Sequence, residues 1–139
     1  MRLVADTNVI VSAFLWGGIP RQLLDAVEAQ RLELFTSRAL IVELEDVLSR
    51  EKFTAQLRRT HFTSAYLLAR YTQLATLVAP AEVTAPALRD PDDRHVLACA
   101  RAARADLIVS GDKDLRVLKT YRRIRIVSAA EALALIAAA

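Results

Sequence analysis

The chain has 139 residues, of which 54% are hydrophobic and 25% charged, with a net charge of +3; this composition fits one domain with its own core and excludes a disordered chain. Its single cysteine excludes an intramolecular disulfide framework and a multi-cysteine zinc site. Charged residues interrupt every apolar stretch before it reaches the roughly 20 residues that span a bilayer, and Asp6 and Asn8 interrupt any signal peptide. We therefore expect a cytoplasmic protein without a membrane segment.

The N-terminal third alternates short apolar runs with amphipathic segments. Residues 3–5 predict a buried strand that ends in a polar turn at Asp6, and residues 32–35 predict a second strand. Between them, Pro20 opens a predicted helix over residues 21–30. Ser37 is the expected N-cap of the next helix, whose apolar positions form one stripe (40, 41, 44, 47 and 48).

The middle of the chain predicts a helical insert at about 51–77. Two helices fit this segment, of which the first is short and basic. A possible strand at 77–79 follows, and residues 80–86 are predicted to be irregular. Asp90 and Pro91 then open a helix that continues to residue 104, with the aspartate as N-cap and the proline at the first helical position.

The C-terminal part predicts two further strands, at 107–109 and 124–127, around a short helix at 112–118. Ser128 and Glu131 form a capping-box pattern that starts a C-terminal helix. Short, fully apolar strands that alternate with helices indicate a parallel sheet covered on both faces. The sequence therefore predicts a single domain over residues 1–139, an α/β protein with a three-layer α/β/α sandwich around a central parallel sheet.

Carboxylates gather at one predicted edge of this sheet. Six of the nine aspartates lie between residues 90 and 114, and a seventh, Asp6, ends the first strand. Ligands of doubly wound sheets bind outside the carboxyl ends of the strands. Asp6 and Asp112 both follow strands, and Asp93 lies in the first turn of a helix that can point to the same edge.

Carboxylates that converge within a few ångströms repel one another unless they neutralise a cation or share protons. Oxygen ligands without cysteine or a histidine pair favour Mg²⁺ or Mn²⁺ over Zn²⁺, so we expect one or two such ions. Sites of this kind carry out phosphoryl or phosphodiester transfer, in which the ions activate water and stabilise the leaving oxygen. Hydrolysis of a phosphodiester is the activity this pattern favours.

Several acids also have a purely structural interpretation. Asp90 and Asp92 fit the role of helix caps that interact with the helix dipole, and Asp106 fits a turn. Glu43 lies in the middle of a predicted helix, where an isolated acid is usually only solvated. Composition and spacing leave the role of these residues open.

Four motifs in the same order resemble the PIN domain over nearly the whole chain: Asp6-Thr7-Asn8 after the first strand, Leu40-Ile41-Val42-Glu43-Leu44, Asp90-Pro91-Asp92-Asp93, and Leu107-Ile108-Val109-Ser110-Gly111-Asp112-Lys113-Asp114. The resemblance is greatest to the branch that contains toxins of type II toxin–antitoxin systems, relatives of the VapC toxins. It implies a metal-dependent endoribonuclease that cleaves RNA phosphodiester bonds.

The resemblance also implies roles for individual residues. Its catalytic, metal-binding quartet maps to Asp6, Glu43, Asp93 and Asp112, with Asp114 as an additional ligand. Asn8 and Ser110 would be the polar neighbours that orient ligands or water. Asp92 adjoins Asp93, so either could face the metal; we favour Asp93, because seven residues later the helix presents the small Ala100.

The resemblance further implies an RNA substrate, a cognate antitoxin protein and a homodimer. Four arginines near predicted strand-edge loops are candidates for contacts with RNA phosphates: Arg21, Arg38, Arg94 and Arg116. The alternative is a catalytically inactive PIN scaffold that acts as an RNA-binding or protein-interaction module. The intact quartet favours the enzyme.

Overall fold

The computed structural model describes residues 1–81 and 91–138, with the side chains of Pro91 and Asp92 left out of the description. Six strands form one sheet in the order β3-β2-β1-β4-β6-β5. Neighbouring strands are parallel except for the last pair, β6 and β5, which is antiparallel. The strands are β1 Arg2–Ala5, β2 Glu33–Thr36, β3 Ala75–Leu77, β4 Leu107–Val109, β5 Thr120–Tyr121 and β6 Ile124–Val127.

Helices connect the strands and cover the sheet. In the part of the chain that the structure describes they are α1 Thr7–Leu15, α2 Gly18–Glu28, α3 Arg38–Leu48, α4 Thr54–Arg59, α5 Ser64–Leu74, α6 Pro91–Ala103, α7 Lys113–Arg116 and α8 Ala129–Ala138, with a 3₁₀ turn at Glu51–Phe53. None of these helices combines the length and the apolar character needed to cross a bilayer.

Two hydrophobic clusters lie on opposite faces of the sheet. Leu3 and Ala5 point to the cluster shared with α1, α2, α5 and α8, whereas Val4 between them points to the cluster shared with α6 and α7. This alternation follows from the two-residue period of a strand. Both faces are therefore buried, which confirms the three-layer α/β/α arrangement and explains why residues 3–5 of β1 and all of β4 are apolar.

The capping residues predicted from the sequence are present. The Ser37 side chain accepts a hydrogen bond from the Leu40 N–H at 3.4 Å and so caps α3. Ser128 and Glu131 form the reciprocal capping box, with N–H to oxygen distances of 3.2 and 3.3 Å. These local hydrogen bonds explain why α3 and α8 begin where they do.

Four local predictions were wrong. The polar turn after the first strand is instead the start of α1, because Asp6 caps the helix immediately. Helix α2 begins at Gly18, three residues before the predicted start. The strand predicted at 77–79 lies at Ala75–Leu77, where it pairs with β2. The two-residue strand β5 was not predicted.

The pairing of β1 with β4 positions the candidate site. Their register places Leu3 beside Leu107 and Ala5 beside Val109, so both strands end at the same level. The Asp6 N–H continues this pairing by donating to the Val109 carbonyl at 2.9 Å. The first residues beyond the two strands, Asp6 and Ser110, therefore lie side by side at the carboxyl edge of the sheet. The predicted helix cap Asp90 and most of the predicted irregular segment lie outside the described residues.

Candidate metal centre

Asp6 is held by hydrogen bonds to both of its carboxylate oxygens. One oxygen accepts the Val9 N–H at 2.9 Å and caps α1. The other accepts a hydrogen bond from the Ser110 hydroxyl. The side chain is buried, with 7% of the residue exposed. Its orientation is therefore fixed by the strand end, by the helix it caps and by the neighbouring strand.

Ser110 links Asp6 to the segment that follows β4. Its hydroxyl oxygen accepts the Asp112 N–H at 2.9 Å while its hydroxyl hydrogen is donated to Asp6. Asp112 in turn caps α7 by accepting the Asp114 N–H at 2.8 Å. These bonds set the path of the backbone from the end of β4 to α7, so that Asp112 returns toward Asp6.

Two helices bring the remaining acids to the same place. Glu43 lies on α3, which Ser37 caps directly after β2, and its residue is half-buried. Asp93 lies in the first turn of α6 and is only 6% exposed. Because α6 packs against β1, β2 and β4, its first turn faces the same edge of the sheet as the strand ends.

All four predicted acids line one small cavity of about 40 Å³; its lining is Asp6, Thr7, Asn8, Glu43, Asp93, Val96 and Asp112. Within the described chain, carboxylate oxygens of Asp93, Asp112 and Asp114 lie within 4.8 Å of one another. The site thus contains a tight group of three carboxylates beside Asp6 and Glu43. Thr7, whose residue is buried at this cavity, was not assigned a role from the sequence. The sequence feature that could have identified Thr7 as a site residue is its position directly after Asp6.

Burial and charge both act on Asp6. Burial, as the largest effect, and the neighbouring Asp112 raise the pKa of Asp6 above its ordinary value of 3.8. Hydrogen bonds from the Ser110 hydroxyl and from the backbone N–H groups of Val9 and Gly111 oppose this rise without cancelling it. The folded chain alone therefore disfavours the ionised form of Asp6, and a cation in the cavity would favour it.

The donor set fits a hard divalent cation. The three grouped side chains supply only carboxylate oxygens, the ligands that Mg²⁺ and Mn²⁺ prefer. Two oxygens on opposite sides of one Mg²⁺ lie about 4.2 Å apart, at about 2.1 Å each, which is close to the spacing of this group. Asp93, Asp112 and Asp114 are the residues best placed to hold such an ion, with Asp6 and Glu43 beside them.

The other residues that the sequence predicted for the site do not all lie at this cavity. Asn8 lies at the cavity, and the side chain of Asp92 is outside the description. Arg38 lines a groove that also contains Glu43, and Arg94 is exposed on α6. Arg21 instead lines a separate cavity that contains none of the four acids, where it lies 3.5 Å from Asp25.

Arg116 lines a third cavity, on the side of α7 and β6. There its guanidinium is 3.8 Å from the Glu131 carboxylate. The four candidate arginines therefore do not form one surface.

The fold is a parallel α/β sandwich, and several carboxylates lie at the carboxyl edge of its central strands. The chain is therefore an α/β protein with an acidic centre. A family model for the PIN domain matches residues 2–114. The chain belongs to the PIN domain family. The match contains the segments that supply Asp6, Glu43, Asp93, Asp112 and Asp114.

One solved structure with this fold is VapBC2 from Rickettsia felis bound to a DNA fragment from their promoter. The similarity covers 91% of this chain and 97% of that chain, with a TM-score of 0.61 and 15% sequence identity. At that identity the likeness shows a common fold. No curated protein matches the chain.

Proposed function

We propose that this protein is an endoribonuclease that depends on Mg²⁺ or Mn²⁺ and hydrolyses RNA phosphodiester bonds. The observation that carries the proposal is the convergence of Asp6, Glu43, Asp93 and Asp112 on one cavity, with Asp114 completing a group of three close carboxylates. These acids come from four separate segments of the chain. Membership of the PIN domain family supports the same activity.

The acids divide into two roles in this proposal. Asp93, Asp112 and Asp114 would hold one or two ions, which when bound supply Lewis-acid activation of water and of the scissile phosphate. Asp6 and Glu43 flank this group and complete its negative charge. Ser110 keeps the Asp6 carboxylate turned toward Asp112 by donating one hydrogen bond and accepting another. Asn8 and Thr7 contribute neutral polar groups that can orient water or substrate at the cavity.

Cleavage of a mixed RNA pool by the purified protein tests this proposal. We expect cleavage with Mg²⁺ or Mn²⁺ and none with a chelator. Glu43→Gln and Asp93→Asn should each lower the rate by about 10²-fold or more, since each removes a carboxylate that helps to hold the ion whose positive charge stabilises the reacting phosphate. Glu45→Gln is the matched control, because Glu45 is exposed on the same helix as Glu43 and does not line the cavity.

A catalytically inactive scaffold is the second candidate. It predicts that the wild-type protein binds RNA without cleaving it at any concentration of Mg²⁺ or Mn²⁺. Wild-type cleavage rates in both acid variants, with folding verified by a melting curve, would contradict the assignment of the metal centre and leave the scaffold as the better description.

We also propose that the protein is the toxin of a toxin–antitoxin pair, which the shared fold with VapBC2 supports. A groove rich in carboxylates attracts cations, so a basic side chain of the antitoxin, most simply an arginine, would pair with Asp6 or Asp93 and displace the metal. Undiminished RNA cleavage by a complex with the product of the adjacent gene would contradict this inhibition.

The proposed homodimer rests on the family resemblance alone. The C-terminal helix α8 buries Ala132 and Ile136 against the core shared with α2. It therefore offers no separate argument for a second copy. Light scattering at tens of micromolar decides the point, and a monomer there would contradict the dimer. The single domain over residues 1–139 is likewise our proposal for the organisation of the chain. The helices of the insert predicted at about 51–77 end at Leu74, because Ala75–Leu77 form β3.

A further inference from the structure

Six exposed cations lie together on one side of the acidic centre, on the surface formed by α7, β5 and β6. We call this surface the basic face; its cations are Lys113, Arg116, Lys119, Arg122, Arg123 and Arg125. Asp114 is the one acid between residues 113 and 125. A cavity of about 670 Å³ lies within this face and is lined by four of the six cations. Glu131 is the acid that lines it.

The basic face is continuous with the acidic centre. Lys113 follows Asp112 directly, and the four-residue helix α7 carries both Asp114 of the acidic group and Arg116 of the basic face. At the other side of the cavity, Val127 ends β6 beside Val109 of β4, and its carbonyl accepts the Ser110 N–H at 2.9 Å. A chain of phosphates that reaches the acidic centre can therefore continue onto the basic face.

The turn of the β5–β6 hairpin lies at the amino end of β6, at the end of the basic face farther from the acidic centre, and its backbone carries a conformational cost. Its two turn residues, Arg122 and Arg123, have φ angles of 48° and 69°, and Lys119 before β5 has a φ of 60°. Two-residue hairpin turns with positive φ at both positions favour Asn and Gly, because other side chains are strained there. Two arginines at this turn indicate that the position is used for charge rather than for stability.

The opposite side of the acidic centre lacks this charge. The groove there has a volume of about 570 Å³ and is lined by Arg38 and Arg50 but also by Glu43 and Asp46. Each cavity contains one ion pair, Arg50 with Asp46 at 3.3 Å in this groove and Arg116 with Glu131 at 3.8 Å in the basic face. Formal charges in that groove cancel, whereas the cavity of the basic face has a net charge of three positive units among its lining residues.

We propose that the basic face is the docking surface for the RNA strand on one side of the scissile phosphate. It would hold consecutive backbone phosphates and so offset the repulsion between the strand and the carboxylates of the centre. The identity of the strand as RNA rests on the proposed function. Contacts with phosphates position a strand without reading its sequence, so this surface would supply affinity and register.

The first experiment measures binding of a short, unstructured, fluorescent RNA in chelator, where cleavage cannot occur. Each phosphate contact contributes about 0.7 to the slope of log affinity against log salt for single strands, so Arg122→Asn/Arg123→Gly should lower that slope by about 1.4. The same double variant should raise the melting temperature, because Asn and Gly fit the turn better. A purely structural role of the two arginines would not make binding weaker and the protein more stable together.

Arg58→Gln/Arg59→Gln is the matched control, since it removes two exposed cations from α4 and changes the net charge equally. An equal loss of slope in both double variants would show an effect of net charge alone and overturn the proposal. An unchanged slope in the turn variant would also overturn it. So would binding of the wild type to phosphatidylserine vesicles but not to RNA.

A second experiment uses the unmodified protein. The chain has only three lysines, Lys52, Lys113 and Lys119, and all three are exposed. Acetylation in chelator, read by mass spectrometry, should show that RNA protects Lys113 and Lys119 but leaves Lys52 reactive. Equal protection of all three lysines, or of none, would contradict the docking surface.

Different results would contradict the proposed nuclease activity and the proposed docking surface. Protection of Lys113 and Lys119 in a protein that never cleaves RNA would refute the nuclease and keep the docking surface. Cleavage with an unchanged slope in the turn variant would do the reverse.

Discussion

Asp6→Asn separates the charge of Asp6 from its structural role. Asn retains one side-chain oxygen that can accept the Val9 N–H, so the cap of α1 should survive. Its amide nitrogen replaces the oxygen that accepts the Ser110 hydroxyl, and it can instead donate to the Ser110 hydroxyl oxygen. The two side chains are nearly equal in size, which leaves the packing around this buried position unchanged. The substitution removes a negative charge that burial and Asp112 disfavour. We therefore expect the metal-free variant to be more stable than the wild type at neutral pH.

The sign of this stability difference, and the pH range in which it appears, follow from the raised pKa of Asp6. An unfolded aspartate loses its proton near pH 3.9, whereas the folded protein holds the Asp6 proton to a higher pH. The free energy of unfolding of the wild type should consequently fall as pH rises from about 4 through the raised pKa, and stay lower above it. At about pH 3 the carboxyl is neutral in both states, so the difference between the variant and the wild type should vanish there.

The size of this difference in unfolding free energy depends on how much more tightly the folded state than the unfolded state holds the Asp6 proton. Each tenfold difference corresponds to about 1.4 kcal/mol. For a chain of this length that is roughly 5 °C in melting temperature. Metal reverses the order: at a concentration 100 times its dissociation constant, a bound ion stabilises the wild type by about 2.7 kcal/mol. The variant, which lacks one carboxylate at the cavity, should gain less.

Melting curves of both proteins, recorded in chelator and with Mg²⁺ at acidic and neutral pH, measure all of these effects. Asp25→Asn is the control, since Asp25 is an exposed acid outside the cavity and its removal should change stability by less than about 0.5 kcal/mol. A metal-free variant that melts below the wild type at neutral pH, or a stability difference that persists at about pH 3, would refute the electrostatic reasoning.

Four further outcomes are expected. Tyr71→Phe removes the buried 2.7 Å hydrogen bond that Tyr71 donates to Thr36 and should lower the free energy of unfolding by about 1–2 kcal/mol in urea titrations. Ser37→Ala removes the cap of the helix that carries Glu43 and should cost about 1 kcal/mol by the same measurement. Calorimetry should detect Mg²⁺ and Mn²⁺ but no comparable specific binding of Zn²⁺, because the centre offers only oxygen ligands. Burial raises the pKa of Cys99 to about 12, so a thiol reagent at neutral pH should react with it only after denaturation.

The sequence was most informative where local chemistry determines structure. Strand β4 is a short apolar run buried on both faces, and β1 and β6 are apolar except for the exposed Arg2 and Arg125; each was predicted within one residue of its position. Ser37 and the Ser128–Glu131 pair identify helix starts because a cap depends on neighbours only three residues away. The ends of β1 and β4 follow from these elements, and they place Asp6 and Asp112 at the same edge.

Features that depend on distant partners were predicted less well. The edge strand β3 was expected at the more apolar residues 77–79, but its position is set by pairing with β2, in which Ala75 faces Leu34. The strand β5 has two residues and no apolar pattern of its own. The residue Glu43 resembles any solvated acid of a helix until the fold places it at the cavity, so only the family motif identified it from sequence.

Of the six cations of the basic face, only Arg116 was predicted to contact RNA, because the net charge of +3 describes the chain as a whole. Residues 90–139 contain both the aspartates of the acidic centre and the six cations of α7 and the hairpin, and their charges largely cancel in the sum. The fold separates the two groups in space, with the acids inside the cavity and the cations on the exposed side of α7. Charge that is mixed along the chain is therefore segregated on the surface.

The position of β1 between β2 and β4 has a consequence for the order of events during synthesis. Strand β1 gains its β2 partner early, but its other edge stays unpaired until β4 has been made. Ser110, Asp112 and Asp114 come later still. A nascent or prematurely ended chain that stops before them has Asp6, Glu43 and Asp93 but lacks Asp112 and Asp114. We therefore expect that a chain ending before Ser110 cannot assemble the group of three carboxylates and does not bind the ion that the proposed function requires.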